Sequence, residues 1–117
     1  MNRHIVLAEL PTNTEKSIEI SVGYTTGGMN YFSGNEEPRG YELYIQPITR
    51  DGEWTTRGIL DGTRVHLKSA NRFSAKTLRQ VAENVRSEYR DIFRHALAHV
   101  LGDKYTVDSA VLEELGL

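Results

Sequence analysis

The sequence contains no cysteine, which excludes disulfide bonds, cysteine-ligated zinc, iron–sulfur clusters and thiol nucleophiles. It also lacks an excess of charge of one sign. The 14 basic and 16 acidic residues give a net charge of -2, so no global cationic field holds nucleic acid or an anionic membrane. No stretch approaches the roughly 20 apolar residues of a membrane-spanning helix, and the apolar run from Ile5 to Ala8 is too short for a signal peptide. We therefore expect a cytoplasmic protein.

The motifs of several common enzyme classes are missing as well. There is no Gly-x-Ser-x-Gly elbow of a serine hydrolase, and the glycines form neither a phosphate-binding loop nor a Gly-x-Gly-x-x-Gly motif. His95 is followed by Ala96, whereas zinc metalloproteases place glutamate at that position. We therefore expect a protein that is not an enzyme and that needs no cofactor.

The first 71 residues carry the pattern of a β-sheet within a single domain spanning residues 1–117. Residues 3–10 and 17–24 flank a turn-forming segment, and the second run alternates apolar with polar residues, which predicts a hairpin. Asp51-Gly52 and Asp61-Gly62 separate three further runs, residues 41–50, 53–60 and 63–68. Because Asp-Gly is typical of two-residue type I′ turns, these runs are predicted to form a three-stranded meander.

Two-residue turns would also fix the register of this meander. Arg50 would then face Glu53, and Leu60 would face Thr63. One side of the sheet would be apolar and would carry Leu43, Ile45, Thr56, Gly58, Leu60, Val65 and Leu67. The other side, expected to contact water or a partner, would carry Tyr44, Gln46, Thr55, Arg57, Ile59, Arg64, His66 and Lys68.

From Ser74 onward the apolar residues recur at helical spacing. Ser74 is a plausible N-cap and Gly102 a natural end, so the pattern predicts one long helix over residues 74–101. Such a helix is roughly 40 Å long and overhangs the sheet, so a short helix over residues 107–115 or another subunit must cover the surplus. The predicted fold class is α+β, an antiparallel sheet with the long helix packed on one face.

A long connection between the hairpin and the meander is the first candidate binding element. Gly27 and Gly28 allow the backbone to approach a ligand closely. Alternatively, the aromatic residues of this loop only cap the end of the core. The candidate ligand- or partner-binding residues are Gly27, Gly28, Asn30, Tyr31, Phe32, Arg39 and Tyr41.

Three segments carry a resemblance to other proteins: Gly27-Gly28-Met29-Asn30-Tyr31-Phe32, Glu37-Pro38-Arg39-Gly40-Tyr41 and Asn71-Arg72-Phe73-Ser74-Ala75-Lys76. Over roughly residues 17–80 the chain resembles small proteins carried on bacterial plasmids, conjugative elements and phages. The resemblance implies a biological setting and brings no activity with it.

A series of cations is the second candidate element. On a regular helix they fall within a sector of about 80°, and Glu83 is the only acidic residue among them. Guanidinium groups bind phosphate or carboxylate bidentately, so the series is either a surface for nucleic acid or an acidic protein, or a solvated helix face. Its members are Arg72, Lys76, Arg79, Arg86, Arg90 and Arg94.

Histidines on the predicted helix are the third candidate. His95 and His99 are four residues apart, a spacing that lets two imidazoles reach one metal ion, and Asp91 lies one turn earlier. The alternative is an Asp91–His95 pair at the surface, with His99 at the boundary of the core.

Together these features give three functional hypotheses. The leading one is an accessory protein of a bacterial mobile element that binds a protein partner, or a second copy of itself, without catalysis. The second is a nucleic-acid-binding protein that places its arginines on phosphates and stacks Tyr31, Phe32 or Tyr41 on bases. The third is a metal-binding protein that uses Asp91, His95 and His99.

Overall fold

The computed structural model describes residues 3–29 and 36–116. The strands are β1 (His4–Pro11), β2 (Lys16–Thr25), β3 (Gly28–Met29), β4 (Glu36–Glu37), β5 (Gly40–Thr49) and β6 (Thr63–Ser69). The helices are α1 (Thr56–Asp61), α2 (Ala75–Asn84), α3 (Arg90–Leu101) and α4 (Ser109–Glu114). This is an α+β fold with an antiparallel sheet, so the predicted fold class is confirmed at that level.

Four strands form the main sheet in the order β1-β2-β5-β6, and β3 and β4 form a separate two-stranded ribbon. The predicted N-terminal hairpin is confirmed, because β1 and β2 pair antiparallel over most of their length. In the centre of the sheet Val22 faces Leu43 and Ile20 faces Ile45. These four side chains are buried and form the apolar floor of the core.

The predicted middle strand of the meander is wrong, because residues 56–61 form helix α1. Thr55 stops the extended chain there: its side chain accepts a hydrogen bond from the Gly58 N–H at 3.0 Å and caps the helix. Gly62 has a φ of -87°, whereas a type I′ turn requires positive φ. As a consequence β6 pairs directly with β5, and the expected Arg50–Glu53 and Leu60–Thr63 pairings do not form.

The removal of that strand changes the two predicted faces of the sheet. Leu43, Ile45, Val65 and Leu67 do belong to the apolar core. The remaining residues predicted beside them, Thr56, Gly58 and Leu60, lie on α1. The three predicted outward residues Thr55, Arg57 and Ile59 likewise belong to the cap and body of α1.

The single long helix predicted over residues 74–101 is also wrong, since a turn over residues 85–89 divides it into α2 and α3. At this turn the Tyr89 N–H donates to the Asn84 carbonyl at 3.0 Å, and the Ser87 N–H donates to the same oxygen at 3.1 Å. The break has a physical advantage, because a straight helix would overhang the sheet. Both Val85 and Phe93 are fully buried.

Helices α2 and α3 contact the sheet from one side. The N-cap prediction at Ser74 is confirmed by the bond that its side chain accepts from the Thr77 N–H. The predicted short helix is present as α4, and the flanking Val107 and Leu115 are buried. Within residues 3–29 and 36–116, no helix is both long enough and apolar enough to cross a membrane.

Candidate functional site

The side of the sheet turned away from α2 and α3, here called the outer face, carries a group of polar side chains. Directly paired residues of antiparallel strands point to the same side, so two rows of side chains cross this face. One row contains Val6, Ser21, Tyr44 and Arg64, and the next contains His4, Gly23, Glu42 and His66. The register agrees with the predicted placement of Tyr44, Arg64 and His66 on one face of the sheet. The placement of Lys68 beside them is wrong, because the register shift between Tyr41 and Glu42 pairs Lys68 with Tyr41, whose side chain lies in the core.

The polar groups of the outer face bond largely to one another. His4 Nε2 shares a hydrogen bond of 2.8 Å with Ser21 Oγ, and its ring lies 5.2 Å from the ring of Tyr44. The Arg64 guanidinium pairs with Glu37 and lies 3.5 Å from Glu42 Oε2. These contacts hold the side chains of the outer face in place.

Several of these groups are withdrawn from water. The Glu42 side chain belongs to a residue that is only 4% exposed. Burial raises the pKa of Tyr44, and the charge of the neighbouring Glu42 carboxylate raises that pKa further. Tyr44 therefore keeps its proton across the physiological range and remains a hydrogen-bond donor. Among the described residues, no hydrogen-bond partner is present for the buried atoms Glu42 Oε2, Gln46 Nε2 and His66 Nδ1.

Four large apolar side chains with high exposure, on β1, directly before α1 and on α1, are here called the outer patch. Val6 is 54% exposed, Trp54 49%, Ile59 54% and Leu60 68%. The Trp54 ring lies 6.1 Å from the His4 ring, and Ile59 and Leu60 belong to α1, which packs against β5. Among the described residues, the fifth large apolar side chain with high exposure is Ile92 on α3.

Sequence reasoning missed the outer patch because it placed residues 53–60 in a strand. The signal that could have found it is Thr55, which is a good N-cap residue three positions before Gly58. With a helix starting at that cap, Trp54 falls in an exposed connection and Leu60 no longer belongs to the buried face of the sheet.

The long connection between β2 and β5 has mainly structural contacts where it is described. Gly27 has a φ of +76°, and a Cβ there would lie 2.6 Å from the Glu37 carbonyl oxygen, so the two sides of the loop need a glycine to meet. Arg39 donates to the Thr26 carbonyl at 3.1 Å and to the Asn71 carbonyl at 3.2 Å. At Gly28 a Cβ would meet no atom of the described residues within 4 Å.

Tyr41 is not available for ligand binding, which corrects its inclusion among the candidate binding residues. It is completely buried, since its ring contacts Tyr24 in the core. Its hydroxyl donates to the Ser74 carbonyl at 3.2 Å and accepts from the Ser74 N–H at 3.0 Å. The candidates Asn30, Tyr31 and Phe32 lie outside the described residues.

The series of cations is divided by the turn between α2 and α3. All six side chains are exposed, but the 80° sector expected for one regular helix no longer applies across residues 85–89. Arg72 precedes α2, Lys76 and Arg79 lie on it, Arg86 lies in the turn, and Arg90 and Arg94 lie on α3.

Two of these arginines border an open groove between β1 and α2, here called the β1–α2 groove. Its volume is about 520 Å³, and its lining consists of Ile5, Leu7, Arg79, Ala82, Glu83 and Arg86. Ile5 and Leu7 are partly buried against the core and form an apolar floor. Within the described part of the chain, Arg79 and Arg86 form no ion pair.

The candidate metal ligands do not assemble into a site. His95 Nδ1 lies 2.8 Å from the Asp91 carbonyl oxygen, so this ring nitrogen is held by the backbone of its own helix. His95 and His99 are both exposed. Across residues 3–29 and 36–116 there is no group of three or more His, Asp or Glu side chains that could hold a metal ion.

Comparison of the chain with family models, with curated proteins and with solved structures finds no match in any of the three. The candidate surfaces are therefore the outer patch, the outer face and the β1–α2 groove. Each of these surfaces offers different chemistry to a partner.

Proposed function

We propose that the protein is a non-catalytic binding protein that uses the outer patch to contact a protein partner. The observation that carries the proposal is the high exposure of Val6, Trp54, Ile59 and Leu60. Val6 lies on the outer face, and the Trp54 ring lies 6.1 Å from the His4 ring of that face. Exposed apolar side chains beside polar groups are typical of protein interaction sites. Tryptophan is also strongly enriched among the residues that dominate binding energy.

The surroundings of the outer patch support this interpretation. Arg57 pairs with Asp61 at 3.1 Å on α1, and Arg64 pairs with Glu37 beside the outer face. An apolar centre with a charged border is the common arrangement of protein interfaces. The polar groups already bonded to one another also reduce the ordering cost of binding, because little rearrangement is required.

The resemblance over residues 17–80 supplies the setting of the proposal, a cytoplasmic accessory role on a bacterial mobile element. In that setting the partner is another protein or a second copy of this chain. The oligomeric state of the purified protein distinguishes these two kinds of partner. Sedimentation velocity over a range of concentrations detects self-association, and a monomer at all concentrations directs the search to a different protein.

Peptide display tests the proposal while the identity of the partner is still open. Peptides selected on the full chain are measured again with Ile59→Ser and with the matched variant Ile92→Ser, which changes the same residue type on α3. We expect the Ile59→Ser variant to weaken binding about tenfold or more, and Ile92→Ser to leave it unchanged. Peptides whose affinity is the same for both variants would contradict a role for the outer patch.

Nucleic-acid binding is the second candidate function, favoured by the exposure of all six cations. Stacking of bases on Tyr41 does not contribute, since that ring is buried. The test is fluorescence anisotropy with labelled single- and double-stranded DNA and RNA at about 50 and 200 mM salt. Affinity that falls steeply with salt and is lost in Arg90→Ala and Arg94→Ala supports this function, whereas absence of binding at the lower salt excludes it.

A further inference from the structure

The outer edge of β1 borders the β1–α2 groove. In the sheet order β1-β2-β5-β6, β1 is an outermost strand, and within the described residues no strand pairs with its other edge. The register shifts between Val6 and Ala8, which marks a bulge. An edge strand offers a row of backbone donors and acceptors to another extended chain.

The backbone of Val6 is directed to this edge. The Tyr24 N–H donates to the Arg3 carbonyl at 3.0 Å, so Arg3 is bonded towards β2. Because residues of an antiparallel strand alternate between facing the partner strand and facing away, Ile5 also faces β2 and the N–H and C=O of Val6 face outward. A chain added at this edge finds hydrogen-bonding groups there.

The groove supplies contacts for the side chains of such a segment. Its floor of Ile5, Leu7 and Ala82 is apolar, and its volume of about 520 Å³ accommodates more than one side chain. Arg79 and Arg86 stand at its border, both exposed and without an ion-pair partner among the described residues. Arg79 lies on α2 and Arg86 in the turn that follows it, and both line the same groove.

We propose that the β1–α2 groove binds an extended acidic segment of a partner protein, which adds as a strand to the outer edge of β1 and places carboxylates on Arg79 and Arg86. Strand addition of this kind draws affinity from backbone hydrogen bonds and specificity from alternate side chains. The bidentate geometry of guanidinium groups suits carboxylates. The groove shares only Val6 with the outer patch, using the backbone of that residue and not its side chain.

An acidic peptide fits the groove better than a nucleic-acid backbone does. Glu83 lies in the lining between the two arginines, and its charge repels a phosphate chain that carries a charge on every unit. A peptide can place an apolar or basic side chain opposite Glu83. The apolar floor likewise suits alternate aliphatic side chains.

The probe is a fluorescein-labelled peptide of the repeat Glu-Thr-Val-Thr, in which glutamate and valine alternate on one face of the extended chain. It is titrated with the full chain and followed by anisotropy. A second peptide replaces glutamate with lysine. Two further peptides carry N-methyl groups on the backbone nitrogens of one edge or of the other, which blocks strand pairing on that edge only. Labelled single-stranded RNA is titrated in parallel.

We expect the glutamate peptide to bind and the lysine peptide to bind at least tenfold more weakly. N-methylation of one edge should abolish binding, and N-methylation of the other edge should leave it unchanged. Arg79→Gln and Arg86→Gln should each weaken binding about tenfold, Glu83→Gln should tighten it, and Arg90→Gln on α3 should not alter it. These side chains are exposed, and circular dichroism verifies that the variants are folded.

Four results would overturn the proposal. The first is no binding of the glutamate peptide, and the second is equal binding of the lysine peptide. The third is equal binding of both N-methylated peptides, which would show that no strand is added. The fourth is tighter binding of RNA with the same dependence on Arg79 and Arg86. The variant Ile59→Ser should keep peptide affinity unchanged, which separates this site from the outer patch.

Discussion

Replacement of Gly58 by alanine tests the docking of α1, the helix on which half of the outer patch lies. Gly58 is buried in a helix, where alanine would ordinarily stabilise by up to about 1 kcal/mol. In this position, however, a Cβ would lie 2.2 Å from the Pro47 carbonyl oxygen and 3.1 Å from Thr55 Oγ1. Helix propensity favours alanine and the close contact with Pro47 opposes it, so the sign of the change in the free energy of unfolding shows which effect is larger.

The magnitude follows from the geometry. Ordinary contact between such atoms is about 3.5 Å, so α1 must move away from β5 by about 1 Å. The obstacle is backbone, which cannot rotate aside as a flexible side chain can. Overpacking of this kind costs about 1–3 kcal/mol, and after the gain in helix propensity we expect a net loss of about 1–2 kcal/mol. For a chain of this size, that loss lowers the Tm by about 4–8 °C.

The assay is urea unfolding followed by circular dichroism and by the fluorescence of Trp54, the only tryptophan of the chain. Trp54 lies four residues before Gly58, so its emission also reports a local change at α1. Thr56→Ala, an exposed position of the same helix, is the matched control and should change stability by less than about 0.5 kcal/mol. A Gly58→Ala variant as stable as the parent protein, or more stable, would refute the docking of α1 against β5.

Two further predictions concern buried tyrosines. Tyr41→Phe removes the hydroxyl that bonds both backbone groups of Ser74, and we expect a loss of about 1–2 kcal/mol in urea unfolding. Tyr105→Phe is the control and should be neutral, because within residues 3–29 and 36–116 the Tyr105 hydroxyl has no hydrogen-bond partner. Equal losses would contradict the role of the Tyr41 hydroxyl. The pKa of Tyr44 is raised by burial and by Glu42. Its contribution to stability is therefore fully present below about pH 10, the ordinary tyrosine pKa, and is lost as the pH rises from there towards the folded-state pKa. We expect the parent protein to lose more stability above pH 10 than Tyr44→Phe does, and equal losses would show that Tyr44 ionises normally.

The hairpin and the core strands could be predicted because their apolar and polar residues alternate with a period of two. Ile18, Ile20 and Val22 alternate with polar residues, and all three are buried. A shift of one residue would expose the whole set, so the pattern determines both the strand and its buried side. The cap at Ser74 was predictable for a similar reason, since its hydroxyl bonds the backbone three residues later.

The two wrong predictions, the middle strand of the meander and the single long helix, concern segments whose local sequence pattern is compatible with two structures. Asp51-Gly52 and Asp61-Gly62 are compatible with hairpin turns, which would leave only residues 53–60 for the strand between them. Because Thr55 caps a helix within that run, α1 forms there and the strand does not. The spacing of Leu78, Val81 and Val85 continues into Phe93 without a proline to mark the break. Only the size of the sheet and the bonds to the Asn84 carbonyl determine where that helix ends.

The binding surfaces were less predictable than the core, because they depend on which side of the sheet the helices leave uncovered. With α2 and α3 on one side, the outer face retains Ser21, Glu42 and Gln46, which are buried although they are polar. Among the described residues, Glu42 Oε2 and Gln46 Nε2 have no hydrogen-bond partner. Each such atom costs about 1–3 kcal/mol, and apolar residues at such positions are often at least as stabilising. Stability alone therefore does not account for this face. Polar groups kept in place at that cost, with the exposed Trp54 ring 6.1 Å from the His4 ring, support the proposal that this side of the sheet contacts a partner.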